Sequence, residues 1–469
     1  MTGNELLVNI SKKLENNFDI KYREIQCIRG KVIIIFTDSM CDSKFISQYI
    51  IEPLIEAKLM KDNIEAIKKE ILFANSVGDI NTVEEGINHI LSGDAVIIFS
   101  FLSNGIYCEA KGFSKRSITM PITENGIKGP REGFSEPFID NVSLIRRRIK
   151  DVNLKCESMI LGGANKTTVV LVYLQNKASS QLLEHVRNEM NNINTNVSIT
   201  SNEIQECFQA KHTVFDTVGY SEKPEIIVSK ICEGRIAIIV DGNPFINTVP
   251  YFFIENFQVN DDYSYNKYFA NGARLLRWFA FIMATLLPGF YVAVVTHHFS
   301  LIPYSFVFRL AISRAGVPFP TVIEVLIMMV FFQISREAGI RLPQPIGQSM
   351  SIVGALILGD ATVGAGIASQ TTLIIVALSS ISSFIIPKLY GILWYWSVVI
   401  IIFSALLGLP GFYIGFCIFI SHMAGLDSCG YPFLFPLGTL KQYKFKDILI
   451  RDNLNKISKG IFNEEKNER

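Results

Sequence analysis

The chain has 469 residues, of which 49% are hydrophobic, and its mean hydropathy of +0.30 is too high for an ordinary soluble enzyme. The formal net charge is +1 and the sequence has no basic block, so composition gives no support for nucleic-acid binding. The eight cysteines have no Cys-x-x-Cys spacing. Reduced thiols are therefore expected rather than a metal site or a disulfide framework.

The hydrophobic residues are unevenly distributed along the chain. Residues 1–270 have the mixed charges of a globular region, whereas the long apolar runs lie between about 274 and 424. The predicted fold class is therefore an α/β soluble N-terminal region, built from two similar α/β units, followed by a polytopic α-helical membrane domain. The N-terminal sequence MTGNELLVNISKKLENNF contains no apolar core of a signal peptide, so the N-terminal region is expected on the cytoplasmic side.

The N-terminal region contains two segments with a similar order of predicted elements. In the first, Lys31–Phe36 predicts a strand, and the sequence SGDAVIIF later predicts a turn and another strand. In the second, Thr167–Leu174 predicts a strand, and EGRIAIIV matches the pattern of SGDAVIIF. We interpret 21–112 and 155–250 as two similar units, related either by duplication or by a common order of strands and helices.

These patterns give a domain organisation. The predicted bounds are 1–120 for the first unit, 121–154 for a linker with a basic helix, 155–255 for the second unit, 270–425 for a transmembrane helical domain of four to six spans, and 438–469 for a cytoplasmic tail.

The linker contains a strongly basic helix. Arg146, Arg147 and Arg148 cover most of one helical turn. This helix either is solvated or couples the units by pairing with acidic groups of a neighbour or with anionic lipid headgroups. Upstream, Arg131 and Glu132 lie among Gly and Pro residues and predict a fixed turn with a local ion pair. All five charged residues are candidate coupling or interface residues.

The membrane domain is predicted to begin at Arg274 and Arg277, which precede the first long apolar run. Residues 299–320 are interrupted by Pro and Arg and favour an interfacial amphipathic helix. The basic residues before the first span and in the tail indicate that both ends are cytoplasmic, which requires an even number of spans. Further candidate spans are 321–340, 346–369, Leu373–Pro387, Trp394–Leu407 and 411–424.

The stretch 341–369 is rich in Gly, Ala and Ser. A soluble core helix would rarely hold so much glycine, because each glycine costs about 1 kcal/mol relative to alanine. Membrane helices use small residues to approach each other closely. Pro343 and Pro345 are expected to fix the entry of this helix, and Ala361 with Ala365 belongs to a smooth face.

Asp360 lies in this glycine-rich stretch. A carboxylate at bilayer depth costs about 2.5–3.5 kcal/mol on insertion scales, so it should face protein or water. It is either a hydrogen-bonded packing group or a pore-facing group that attracts cations. The candidate pore and gating residues are Asp360, Gly354, Gly359, Gly364, Gly366 and Glu324.

No catalytic pattern is present in the sequence. Phosphate-loop, zinc-protease and nucleophile-elbow motifs are absent, so no catalytic residue, cofactor or metal is expected and the chain is not predicted to be an enzyme. His297 and His298 are expected at a membrane interface, because adjacent histidines on a helix point about 100° apart. Asp241, Gly242 and Asn243 predict a hairpin turn.

Four stretches of this sequence resemble the GerA family of spore germination proteins, specifically the A subunit of a nutrient germinant receptor. They are KGPREGFSEPFIDNVSLIRRRIKDVNLKCE at 128–157, RLLRWFAFIMATLLPGFYVA at 274–293, EVLIMMVFFQISREAGIRLPQPIGQSMSIVGALILGDATVGAGIAS at 324–369 and LPGFYIGFCIFISHMAGLDSCGYPFLFPL at 409–437. They cover much of residues 128–440 in the order of the family. The N-terminal 120 residues resemble the family only in type.

The resemblance implies a multi-pass protein of the spore inner membrane. Such a subunit acts with B and C subunits, forms a homo-oligomer around a path for monovalent cations, and releases ions when nutrient binds the receptor. Two features depart from the family pattern. Family members often have an uncharged residue where Asp360 stands, and the short leading segment also fits a sporulation-stage relative.

We therefore expect a subunit of a ligand-gated cation channel in spore germination. A secondary transporter is one alternative, although the spans show no inverted repeat. A scaffold that conducts nothing is another.

Overall fold

The computed structural model describes residues 3–57, 64–102, 104–112, 124, 128–162, 166–193, 200–342, 359–437 and 447–453. Within these ranges the chain forms two five-stranded sheets and then a set of packed helices. The predicted fold class is confirmed, because two similar α/β units precede a helical region with apolar helices.

The first unit is a sheet covered by helices on both faces. Its strands are β1 (Ile20–Cys27), β2 (Gly30–Thr37), β3 (Val77–Ile80), β4 (Asp94–Phe99) and β5 (Gly105–Glu109). They follow the order β1-β2-β4-β5-β3, and neighbouring strands are antiparallel. Ile46 and Ile50 pack on one face, and Ile10 and Ile87 on the other, so the central strand β4 is buried along its length.

The helical elements of the first unit are short. They are Gly3–Lys13, Ser43–Phe45, the π-helical Ile46–Ile51, Glu52–Glu56, Ile64–Ala66, the π-helical Ile67–Ile71 and Val83–Leu91. Val83–Leu91 begins with a capping box in which Thr82 accepts from the backbone N–H of Glu85.

The second unit repeats the same arrangement. Its strands are β6 (Leu154–Leu161), β7 (Thr167–Leu174), β8 (Gly219–Ser221), β9 (Ile236–Val240) and β10 (Ile246–Val249), and its helices are Phe138–Arg148, Ser180–Asn192, Ser201–Phe208 and Pro224–Cys232. The strand order β6-β7-β9-β10-β8 is equivalent, position by position, to that of the first sheet. Because both sheets have the same strand order, a duplication of one ancestral unit is favoured. The predicted turn at Gly242 joins β9 and β10 and has a φ of +83°.

The helical region follows the second unit. It contains Asp261–Ser264, Lys267–His297, Tyr304–Arg314, Thr321–Arg341, Gln370–Phe384, Tyr390–Leu407 and Leu409–Ala424, with 3₁₀ turns at Phe253–Phe257, Phe299–Leu301 and Pro387–Leu389 and a small ladder between β11 (Asp427–Ser428) and β12 (Tyr431–Pro432). Helix Lys267–His297 begins beside the second unit, and its far end packs against Gly408.

Two helices in the described part of the chain are long and apolar enough to cross a membrane, namely Lys267–His297 and Pro387–Leu407. Gln370–Phe384 and Leu409–Ala424 are apolar but shorter. The total of four to six spans stays a prediction.

The end of the glycine-rich stretch differs from the expectation. Residues 359–364 are helical, Gly366 has a φ of +67°, and the Ser369 hydroxyl accepts from the N–H of Thr372 to start the next helix. A single helix continuing to residue 369 is therefore wrong, because the chain turns before Ser369. The predictions for Gly354, Pro343 and Pro345 lie outside the described residues.

Candidate functional site

Arg146 joins the two α/β units. Its helix, Phe138–Arg148, packs on the second sheet, whereas its guanidinium reaches the segment that enters β1. Nε donates to Asp19 Oδ2 at 2.5 Å, and Nη2 donates to Asp19 Oδ1 at 2.7 Å and to Asn17 Oδ1 at 2.8 Å. Both members of the ion pair are 1% exposed. A solvated basic helix is therefore wrong for Arg146, which forms a buried, two-pronged ion pair.

A second set of bonds supports the same junction. The backbone N–H of Phe18 donates to the Cys156 carbonyl at 3.0 Å, and the N–H of Cys156 donates to Asn17 Oδ1 at 3.1 Å. Lys155 Nζ donates to the carbonyls of Lys13 and Glu15, just after the first helix. Burial lowers the pKa of Lys155. These contacts attach the leading helix of the first unit to the first strand of the second.

Glu132 forms its ion pairs with the end of the linker helix. It pairs with Arg148 and lies 3.6 Å from Arg147 Nη2. The expected pair between Glu132 and Arg131 is therefore wrong. The reason is the course of the chain, because the N–H of Phe134 donates to the Glu222 carbonyl and places this segment beside the last turn of the linker helix.

The first long helix, Lys267–His297, is joined through Asp262 to the short helix that precedes it, Asp261–Ser264. This buried carboxylate accepts from Arg274 Nε at 3.2 Å and from Arg277 Nη1 at 2.9 Å. Arg274 Nη1 also donates to Asp447 Oδ1 at 2.6 Å, and Arg451 Nη1 donates to the Asp262 carbonyl at 2.7 Å. The start of the long helix, the short helix before it and residues 447–453 thus form one charged joint.

Glu255 organises the aromatic contact beside this joint. It accepts from Arg235 and lies 2.7 Å from Lys230 Nζ. Burial acts to raise the pKa of Glu255, but the two cations outweigh burial and lower it. Within the same 3₁₀ turn, Phe257 stacks on Trp278 of the long helix with ring centroids 3.7 Å apart. The joint therefore combines ion pairs with stacked rings.

Glu324 lies at the opposite end of the helices and is fully buried. Its Oε2 accepts from the N–H of Ser369 at 3.1 Å and from the Thr372 hydroxyl at 3.0 Å, and its Oε1 lies 3.4 Å from Arg314 Nε. Arg314 ends one helix, Glu324 lies in the first turn of the next, and Ser369 caps a third. A carboxylate is favoured beside the positive N-terminal ends of helices and beside an arginine. Glu324 therefore links the N-terminal ends of two helices to Arg314 at the C-terminal end of a third.

Hydroxyl groups surround this carboxylate. The Tyr291 hydroxyl lies 3.2 Å from the Thr372 hydroxyl and 3.3 Å from the Thr371 hydroxyl. The Ser313 hydroxyl lies 3.4 Å from Thr371. This polar cluster ties helix Lys267–His297 to the turn that follows the glycine-rich stretch.

The described end of the glycine-rich stretch has an exposed face and a packed face. Asp360, Ala361, Gly364 and Ala365 are exposed, and the structure records no hydrogen bond or ion pair of Asp360 with any described residue. A Cβ on Gly364 would meet nothing within 4 Å. Of the predicted smooth face, Ala361, Gly364 and Ala365 are thus left uncovered by the described residues, whereas Ala368 is buried.

Gly359 and Gly366 belong to the packed face. A Cβ on Gly359 would lie 3.7 Å from Leu373, and one on Gly366 would lie 2.8 Å from the Gly316 carbonyl. The structure does not bring Asp360 and Glu324 into contact. Among the described residues there is also no group of three or more His, Cys, Asp or Glu side chains that could hold a metal ion.

Local sequence patterns do not identify the partners of the buried cations. Asp19, Asp262 and Asp447 each lie far from their arginine in the chain or in a region without an evident pattern. A signal did exist for Asp262. Arg274 and Arg277 are three residues apart at the start of an apolar helix and so share one face, which predicts a carboxylate that binds both.

Among solved structures, the chain is similar to the crystal structure of the N-terminal domain of the A subunit of the Bacillus megaterium spore germinant receptor GerK3. The TM-score is 0.42 and the identity 24%, over 53% of this chain and 94% of that chain.

Comparison of full sequences gives the family. Spore germination protein KA of Bacillus subtilis is 33% identical over 453 residues, covering 95% of this chain and 83% of that protein. The uncharacterized membrane protein YfkQ of Bacillus subtilis is 34% identical over 452 residues, covering 95% and 88%. The sequence model of the Bacillus/Clostridium GerA spore germination protein matches residues 8–460. This chain belongs to the GerA family of spore germination proteins.

Proposed function

We propose that this chain is the A subunit of a nutrient germinant receptor, and that its copies assemble around a cation-conducting path that opens when nutrient binds the complex. Family membership supports the role in germination. The observation that carries the path is the exposed face of Asp360, Ala361, Gly364 and Ala365.

The composition of that face suits an axis between copies. Small residues allow helices from neighbouring subunits to approach closely without a hydrophobic driving force. A carboxylate is too costly to leave in lipid, so Asp360 requires water or protein beside it. A ring of Asp360 carboxylates around a wet axis satisfies both conditions and attracts monovalent cations.

The N-terminal units are proposed to transmit the signal. The buried pair of Arg146 and Asp19 holds the two units together. The turn Phe253–Phe257 attaches the second unit to the first long helix, because Glu255 pairs with Arg235 and Phe257 stacks on Trp278. A displacement of the units would therefore be passed to that helix, and through the Tyr291 and Thr372 contact to the turn next to Asp360.

The proposed location is the spore inner membrane, with multiple spans, both termini in the cytoplasm, and B and C subunits as partners. The apolar helices support contact with a lipid bilayer. Leu406 and Tyr413 are large side chains on these helices that are 69% and 61% exposed in the isolated chain.

Ion flux from liposomes tests the proposal. The full chain is reconstituted with its B and C subunits, and potassium and sodium release is measured after addition of nutrient. A unit charge 4 Å from an ion contributes about 4 kcal/mol at an effective dielectric constant of about 20, so Asp360→Asn should lower cation release at least about tenfold. The control is Asp427→Asn, which removes an exposed carboxylate between the last helix and the following turn.

Three outcomes would contradict the proposal. Equal release from the Asp360→Asn and Asp427→Asn proteins would remove Asp360 from the path. Absence of ion release from every assembly would leave a scaffold. Uptake of a solute by the chain alone would indicate a transporter.

A further inference from the structure

Arg314 is a cation next to the segment that carries Asp360. It ends helix Tyr304–Arg314, and its side chain is 24% exposed. Two residues later, the carbonyl of Gly316 lies so close to Gly366 that a Cβ on Gly366 would be 2.8 Å from its oxygen. Gly366 has a φ of +67° and forms the turn after the short helix that contains Asp360. The end of one helix thus packs against the turn that closes the other.

Hydrogen bonds on both sides fix this arrangement. The Ser313 hydroxyl lies 3.4 Å from the Thr371 hydroxyl, so the residue before Arg314 also contacts the segment that follows the turn. Within the turn, the N–H of Ile367 donates to the Thr362 carbonyl at 2.9 Å. The charge of Arg314 is therefore held at a fixed position relative to the short helix.

A cation in this place opposes a path for cations. Coulomb energy falls only with the inverse of distance, and it is screened little where protein and lipid replace water. If Asp360 faces the proposed path, an uncompensated Arg314 would cancel much of the attraction that this carboxylate exerts on a potassium or sodium ion. Selective entry of cations therefore requires a negative charge beside Arg314.

Glu324 supplies this charge. It is fully buried, and its Oε1 lies 3.4 Å from Arg314 Nε. Its Oε2 accepts from the N–H of Ser369 and from the Thr372 hydroxyl, so the carboxylate cannot turn away from the arginine without losing both bonds. The structure records no other ion pair of Arg314 with a described residue. The two charges sum to zero, and Arg314 no longer opposes Asp360.

We propose that Glu324 is a selectivity-determining residue of the ion path, because it neutralises Arg314 and so allows Asp360 to attract cations. The inference rests on the proposed function. Glu324 is buried and does not touch the permeating ion, so it acts through Arg314. Cation selectivity then depends on the sum of three charges, those of Asp360, Arg314 and Glu324, rather than on Asp360 alone.

Reversal potentials of the assembled complex test the proposal. The full chain with its B and C subunits is placed in a planar bilayer under a gradient of potassium chloride, nutrient is added, and the permeability ratio of potassium to chloride is measured. Glu324→Gln keeps an acceptor for Ser369 and Thr372 but leaves Arg314 unbalanced, so the ratio should fall at least about fivefold. Glu324→Asp keeps the charge and should stay within about twofold of the unmodified protein.

A double variant separates charge from structure. Arg314→Met combined with Glu324→Gln removes both members of the pair, so the ratio should return to within about twofold of that of the unmodified protein. A role in packing alone gives no such recovery. This variant carries no unpaired charge, and it provides a second test if Glu324→Gln does not assemble. The matched control is Glu337→Gln, which leaves the exposed Arg341 unpaired at the other end of helix Thr321–Arg341 and should not change the ratio.

Three results would overturn the inference. They are an unchanged ratio in Glu324→Gln, an equal fall in Glu324→Gln and Glu324→Asp, and a low ratio in the double variant. Asp360→Asn is measured in the same series to distinguish the two proposals. If that variant keeps the ratio of the unmodified protein, the proposed path fails and this inference fails with it. If Asp360→Asn lowers the ratio but Glu324→Gln does not, only the role of Glu324 is wrong.

Discussion

Arg146 finds its counter-charge in Asp19, which lies 127 positions earlier in the chain. The pair is buried, and Ser39 adds a hydrogen bond of 3.0 Å to the same carboxylate. Replacing one partner of such a pair leaves an uncompensated charge in the interior, which is far more costly than losing a surface pair. The adjacent Arg147 is half exposed and provides a direct comparison.

We expect Arg146→Met to lower the free energy of unfolding by about 3–5 kcal/mol, because Asp19 would remain buried without a cation. Arg147→Met should change it by less than about 1 kcal/mol, as is usual for exposed pairs. Chemical denaturation of the detergent-solubilised chain, followed by circular dichroism, measures both. Similar losses in the two variants would show that Asp19 does not depend on Arg146.

Asp216 gives a pH-dependent prediction. Burial raises the pKa of Asp216 above its ordinary value. The folded state therefore binds this proton more readily than the unfolded state, and the carboxylate costs stability as the pH rises above the unfolded pKa of about 3.9. Below that pH both states are protonated and the cost disappears. Asp216→Asn should thus stabilise the protein at pH 7 and have a smaller effect near pH 4.

Thermal unfolding at the two pH values measures this difference. A gain of equal size at both, or a loss at pH 7, would contradict the assignment of a partly buried carboxylate that resists ionisation.

At this scale the sequence revealed charges but not their partners. The run Arg146 to Arg148 was recognised as a candidate interface, yet its members have different environments, with Arg146 bound to Asp19 and Arg148 to Glu132. Asp360 and the glycines were recognised by composition, and their roles remain predictions. Long-range pairing depends on the tertiary fold, which local patterns do not specify.

Helices Lys267–His297 and Tyr390–Leu407 approach each other closely at Gly289. A Cβ there would lie 2.6 Å from Ile400 Cγ2 and 3.3 Å from the Ser404 hydroxyl. On the same helix, Gly272 is exposed and a Cβ would meet nothing within 4 Å. Substitution of Gly289 therefore tests the close helix packing, whereas substitution of Gly272 tests helix propensity alone.

Gly289→Ala should destabilise the protein by about 1–3 kcal/mol, because the added methyl group overpacks the helix contact. Gly272→Ala should stabilise it by about 0.5–1 kcal/mol through helix propensity alone. The midpoint of thermal unfolding in detergent reports both changes. The same sign in both variants would contradict the close contact at Gly289.

Glu324 makes a second prediction for the arrangement of helices. Glu324→Gln keeps an acceptor for Ser369 and Thr372 but loses the charge that faces Arg314 and two helix N-termini, so we expect a loss of about 1.5–3 kcal/mol in unfolding free energy. The control is Glu337→Gln, which removes an exposed pair with Arg341 one turn away and should cost about 0.3–0.5 kcal/mol. Denaturant titration compares the two, and an equal cost would show that Glu324 does not hold the helix ends.

Whether a segment forms a strand or a helix can be predicted from the sequence wherever its hydrophobic pattern is continuous. The strands at β2, β7 and β9 and the long helices were predicted because their apolar residues are uninterrupted. Strand β1 was missed because it is an edge strand with Lys21, Arg23 and Glu24 on it, and β8 was missed because it is only three residues long. The early end of the helix at 359–364 depends on the turn at Gly366, which composition did not mark.

In the assembled molecule, we expect the exposed face that contains Asp360 to lie next to the same face of neighbouring copies. If this face surrounds an axis, residue 360 of neighbouring subunits lies within reach of a short cross-linker. Tyr413 is on a different helix, Leu409–Ala424, and is 61% exposed. In the proposed bilayer it faces lipid.

Cross-linking with a short bis-maleimide tests this arrangement. The exposed native thiols Cys207 and Cys417 are first replaced by serine. Asp360→Cys should then give covalent oligomers in the native membrane, whereas Tyr413→Cys should remain monomeric on a denaturing gel. Oligomers from Tyr413→Cys alone would place the interface on helix Leu409–Ala424 instead.

The charged joint at Asp262 has a consequence for biosynthesis. Arg274 bonds to Asp447, which lies 173 positions later in the chain. At about 5–20 residues per second, a ribosome needs roughly 10–35 s to add that segment. During this interval two arginines share a single carboxylate, and the nascent helix holds an incomplete anchor. The charged joint is complete only after residue 447 has been synthesised, so the contact of helix Lys267–His297 with residues 447–453 forms after all the described helices have been made.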